Sequence, residues 1–215
     1  MSKKATGIFI LAAGLAAYFS FFRKAHLRWG ASDEEVRKVL PGDELVPETG
    51  FVATHALTVD APPECVYPWF LQLGQDKAGF YSYTALENLF GCQMKNTYEL
   101  RREWLELRVG DSVLFHPKAP RVPVAILEEN RVFCMGAPGE SSWSMICEPL
   151  GERRTRLIIR LRSNVRSIGG RIFHLGFWEP AHFIMERKMM LTIKELAEEL
   201  YERTRQDALA AGRPY

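Results

Sequence analysis

The chain has 215 residues, 47% apolar and 25% charged, with a formal net charge of +2. That length and apolar content suit one good-sized domain with a short appendage and exclude wholesale disorder. So small a net charge, with arginines alternating along one segment or sitting beside acids, excludes the concentrated basic face of a nucleic-acid binder.

Residues 5–22 form an uncharged run of eighteen, preceded by Lys3-Lys4 and followed by Arg23-Lys24. At about 1.5 Å per residue a helix of that length reaches roughly 27 Å, close to a bilayer core. Bulky Phe21-Phe22 stand where a signal peptide would carry a small-x-small cleavage site, which favours an uncleaved transmembrane anchor. A buried helix of the domain is the other reading. Basic residues nearly tie on the two sides of the run. Cys65, Cys92, Cys134 and Cys147 form no CxxC pair and have no histidine at zinc-ligand spacing, so reduced structural thiols are expected, with no metal and no cofactor. The anchor implies a single-pass protein of the cell membrane, and reduced thiols point to its domain lying on the cytoplasmic side.

Residues 1–26 are therefore read as an anchor, 27–50 as a connector, 51–204 as the folded domain and 205–215 as a tail. In the connector Ser32, ahead of Asp33-Glu34-Glu35, is the N-cap of a short helix, and Pro41-Gly42 breaks the chain before the domain. It is read as an ordered linker packing Trp29 on the domain, with a lid or docking element as the rival.

The domain opens with an alternating strand, 51–59, and Pro62-Pro63 start a helix over 63–73. A turn at 74–79 leads to a second helix over 81–90, stopped by Gly91, and 92–107 is read mostly as a loop. Strands follow near 112–116, 122–127, 131–135, 142–147 and 156–163, with turn residues between them. Gly169-Gly170 is read as a hinge before a last helix over 180–204. Alternation puts Leu157, Ile159 and Leu161 on one strand face and Arg156, Arg160 and Arg162 on the other. Trp143, Met145 and Cys147 share a face expected to point at the last helix. That helix shows an apolar stripe of Met185, Met189, Ile193, Leu196 and Leu200, with Glu186, Lys194, Glu198 and Glu202 assigned to its other faces.

The junction APPECVYPWFLQLG (61–74), directly after FVATHALTVD (51–60), resembles the opening strand and first helix of the SRPBCC superfamily, which includes START-type lipid carriers, pollen-allergen-like proteins and polyketide cyclases. The stretch from RWGAS to PGDELVP is similar to a segment of a membrane-anchored bacterial subgroup. The resemblance covers about residues 51–203. It implies an α+β helix-grip fold: a curved antiparallel sheet of about six strands around a long C-terminal helix, here behind an N-terminal transmembrane helix. It also implies an internal cavity for a hydrophobic small molecule or lipid. Within that frame Trp69, Tyr81, Tyr83, Trp143, Met145, Met185 and Met189 are the expected ligand-binding residues. A membrane-tethered binding module with no nucleic-acid partner follows, the membrane being met through residues 5–22. Catalytic signatures such as GxSxG, a P-loop or HExxH are absent. For a cyclase- or aromatase-like alternative only His55 and Tyr81 offer acid–base groups. A third possibility is protein docking through Arg156, Arg160 and Arg162, against the plainer reading of a solvated strand face.

Overall fold

The computed structural model describes residues 14, 18, 22–165 and 168–212. Two short helices, α1 (Arg23–Leu27) and α2 (Asp33–Arg37), and a tight 3-10 turn (Asp43–Leu45) precede β1 (Phe51–Val59). The double proline then starts α3 (Pro63–Val66), followed by α4 (Pro68–Leu71), α5 (Thr84–Leu89) and α6 (Arg102–Leu105). The strands β2 (Ser112–Val113), β3 (Val122–Glu128), β4 (Val132–Ala137), β5 (Ser141–Pro149) and β6 (Thr155–Ser163) come next. The described chain closes with α7 (Ile168–Phe173), a π-helical segment (His174–Trp178) and α8 (Glu179–Ala210).

All pairings are antiparallel and the sheet order is β1-β6-β5-β4-β3-β2, so the first and last strands in sequence lie side by side. Strict alternation fixes the faces. Phe133, Met145, Leu157 and Ile159 form the main core with Met189, Met190 and Ile193 of α8. This is the helix-grip architecture expected from the sequence. The single helix expected over 63–73 is two, because Pro68 has no N–H to carry the ladder across Tyr67. Gly169-Gly170 lie inside α7, the loop before β2 contains α6, and α8 runs past residue 204 to Ala210.

The transmembrane helix expected over 5–22 falls outside the described residues except at Gly14, Tyr18 and Phe22. Among the described residues no helix is long and apolar enough to cross a membrane.

The face of the sheet turned away from α8 is neither solvated nor free for a partner, which corrects both readings of the arginines. Residues 30–47 cover it. Ser32 caps α2 in a full capping box with Glu35, and Glu35 takes a bidentate ion pair from Arg156 at 2.6 and 2.8 Å. Arg160, 3% exposed, donates to Asp43 and to the carbonyls of Glu35, Val36 and Lys38, capping the end of α2. Arg162 donates to the carbonyls of Val46 and Pro47. Leu40 packs with Ala56, Ile146 and Ile158 in a second small core. Two glycines permit this close approach: at φ +71 a Cβ on Gly30 would sit 2.0 Å from the Ala56 carbonyl, and at φ +95 one on Gly42 would sit 2.2 Å from the Ser144 hydroxyl.

Candidate ligand cavity

Between the inner sheet face and α8 the packing stops short of closure, leaving a cavity of about 710 Å³. Its walls are Met135, Trp143 and Leu161 from the sheet, Leu86, Glu87 and Leu89 from α5 with Phe90 just after it, and Ala181, His182, Met185 and Met189 from α8. The volume lies in the range of small-molecule sites, and the lining is overwhelmingly apolar.

The entry to α8 shapes one wall. Pro180 has no N–H for the carbonyl four residues back, and the ladder widens into a π turn just before it. His174, Trp178 and His182 then stack in a column, with centroids 4.4 and 4.6 Å apart. Trp178 and His182 line the cavity, whereas the His174 ring packs against Phe51 and faces Glu179 at 3.4 Å.

Reaching this wall from the core is a buried polar cluster centred on Glu186, itself a lining residue and 3% exposed. Its carboxylate accepts a hydrogen bond from Trp143 Nε1 at 2.6 Å and one from His55 Nδ1, and His182 Nε2 lies 3.4 Å away. The other nitrogen of His55, Nε2, faces the carbonyl of His26 at 2.6 Å. Both ring nitrogens therefore face acceptors, and only the imidazolium can donate to both. Burial alone would lower the pKa of His55, but the Glu186 carboxylate beside it raises it. Burial alone would raise that of Glu186, but His182, His55 and the donated hydrogen bonds lower it. The two form a buried ion pair.

Glu87 is built differently. It lines the cavity from α5 with 8% of its surface exposed, and its Oε2 has no hydrogen-bond partner. Burial pushes its carboxyl up to about 7. Cys92, also in the lining, has its thiol raised by burial and then by Glu87.

Of the residues singled out from sequence, the cavity brings together Trp143, Met185 and Met189. Trp69, Tyr81 and Met145 lie in the core, outside the lining, and Tyr83 is exposed. The Tyr81 hydroxyl accepts from Gln72 Nε2 at 2.6 Å, and Trp69 packs edge-on against it. Burial raises the Tyr81 phenol well above its ordinary pKa. His55 lies behind the wall with no lone pair to offer, so neither acid–base candidate faces the cavity. Among the described residues no group of three or more His, Cys, Asp or Glu could hold a metal ion.

Glu186 and Glu87 were not foreseen. The assignment of Glu186 to an outer face of the last helix is corrected. Beyond Glu179 and Thr192, the buried positions of α8 are Glu186, Met189, Met190, Ile193 and Ala197, a stripe turned by one residue from the expected one. The signal was available: Glu186 lies four residues after His182 and three before Met189. Glu87, three before Phe90, shares its face in the same way.

No protein-family model matches this chain, and no curated protein matches it. Similar solved structures include a polyketide-cyclase-like protein from Corynebacterium glutamicum, 19% identical over 76% of this chain and 96% of that one, TM-score 0.33. A protein from Arthrobacter aurescens is 16% identical over 77% and 92% (TM-score 0.40), and an AHSA1-like protein from Rhizobium etli is 15% identical over 69% and 82% (TM-score 0.36). The sheet order and the gripped terminal helix are those of a helix-grip protein. The helix-grip fold expected from the sequence is the fold observed.

Proposed function

We propose that this protein binds an apolar small molecule in the cavity between sheet and α8, while residues 5–22 tether it to a bilayer with the domain on the cytoplasmic side. The observation that carries the reading is the cavity itself, because an apolar space of that size inside a close-packed fold has no structural use. Leu86, Leu89, Phe90, Phe177 and Ile184 both line it and stand exposed, so they form an apolar rim through which a ligand can enter. A tether would raise the local concentration of a molecule dissolved in the membrane. The free cysteines suit a reducing compartment. The cyclase alternative finds no support in His55 or Tyr81, since neither faces the cavity.

Native mass spectrometry of the full chain, purified from its own host, tests the proposal. Ala181, on the α8 wall, is the place to fill the space. A co-purifying apolar molecule near unit stoichiometry, absent from Ala181→Trp, is the expected result. The same mass pattern from both proteins would overturn it.

A further inference from the structure

The lining carries a charge asymmetry that bears on the class of ligand. No lysine or arginine lines the cavity among the described residues. Both ring nitrogens of His116 are engaged by backbone, Nε2 with the Phe90 carbonyl at 3.2 Å and Nδ1 with the Lys118 N–H at 3.0 Å. The Glu186 carboxylate is matched by His55. Among the described residues Glu87 alone brings to the wall a carboxyl with an unpartnered oxygen. Around the same space stand six aromatic rings: Phe80, Phe90, Phe115, Trp143, Phe177 and Trp178. Three of them cluster tightly, with Phe80 4.6 Å from Phe115 and 6.1 Å from Trp143.

We infer that the cavity is built for a lipophilic amine, whose apolar body lies among these rings and whose ammonium group pairs with Glu87. This rests on the cavity being a binding site, as proposed above. Ring faces attract cations, and a buried carboxyl without donors is completed by one. A fatty-acid carboxylate or a phosphate group would meet no positive side chain in the lining and would be repelled by Glu87. A neutral ketone could only accept from the protonated carboxyl, and an alcohol could donate to either form, but neither carries the charge that the ionised carboxyl and the ring faces attract. The raised pKa of Glu87 fits a carboxyl that gives up its proton when a cation arrives.

Three probes of one shape test this on the full chain: 2-(2-naphthyl)ethylamine, 2-(2-naphthyl)ethanol and 2-naphthylacetate, titrated by calorimetry at pH 8. Binding is counted as the part lost in Ala181→Trp, which separates the cavity from unspecific partition. The amine should bind about tenfold more tightly than the alcohol, as a charge-assisted contact warrants, with the acetate weakest. Glu87→Gln, of the same shape, and Glu87→Leu should each erase the amine preference while retaining the alcohol. Equal binding of amine and alcohol, tightest binding of the acetate, or an amine preference that survives both substitutions would overturn the inference and leave the cavity reading standing. Absence of any Ala181→Trp-sensitive binding would overturn both.

Discussion

Two glutamates of the same helical protein interior are held in opposite states by what surrounds them. Glu186 has a cation and an indole N–H against it, whereas Glu87 has an oxygen with no hydrogen-bond partner and a carboxyl that burial shifts upward. The first is structural, tying α8 to β1 and β5, and through His55 to the carbonyl of His26 at the end of α1. Glu186→Ala leaves the His55 cation buried and unmatched, so a loss of about 3–5 kcal/mol is expected in urea denaturation. The pH dependence separates the pair from Glu87. His55 is raised from 6.5, so its contribution is complete below that pH and fades as pH rises through the folded value. Glu186 is lowered from 4.5, so its contribution is complete above that pH and is lost as pH falls through the folded value. Together they give a plateau between 4.5 and 6.5 that Glu186→Ala should remove. Glu87 works in the other sense: the folded state holds its proton up to about 7, so stability falls as pH climbs from 4.5 toward 7. Glu87→Gln should flatten that slope and leave the plateau's acid edge in place. An unchanged profile in both variants would contradict the assignment of states.

At the scale of elements the connector is a third layer, and Arg160 is the residue that fastens it. Its guanidinium reaches Thr54, Asp43 and three carbonyls of residues 35–38. Arg160→Leu would leave Asp43 and those carbonyls facing an apolar side chain. A loss of about 3 kcal/mol is expected, with new proteolytic cleavage inside residues 32–47; resistance equal to the parent would show the connector docks without it. None of this covering was visible in the strand itself. Alternation correctly put the three arginines on the face away from α8, but their partners lie more than a hundred residues earlier in the chain. The same distance hid Glu186, whose counter-ion His55 is 131 positions away. Most strand bounds were read well because a period of two is a local signal, but the strand expected over 112–116 is only Ser112–Val113. The cavity residues were read less evenly for a related reason. Periodicity says which face points inward, and Trp69, Tyr81, Met145, Trp143 and Met189 all do. It does not say where along an element the interior is filled and where it is hollow.

For the molecule as a whole, the cavity mouth and the N-terminal segment come together. Arg23, the first residue of α1, holds Glu179 in a bidentate pair at 2.9 and 3.0 Å, and the Tyr18 hydroxyl donates to the Leu175 carbonyl at 3.4 Å. The apolar run therefore ends beside the π-helical wall of the cavity. Ile172 and Phe173 of α7 are 68% and 58% exposed next to that point, and Phe173 touches the rim residue Phe177 at a ring separation of 5.4 Å. A surface of this kind, continuous with the rim, fits contact with the acyl boundary of a bilayer. Neither Ile172 nor Phe173 lines the cavity, so replacing both by aspartate tests the surface apart from the site. On the proposed tethering, withdrawing these two apolar side chains from the bilayer would forfeit more than the ~1.4 kcal/mol that corresponds to a factor of ten. Transfer of pyrene, a sparingly soluble apolar fluorophore, from phosphatidylcholine vesicles to the full chain should therefore slow at least tenfold in the double variant. Its equilibrium affinity for pyrene delivered from water should stay at the parent value. Equal transfer rates would separate the mouth from the membrane and leave the ligand to arrive through solution.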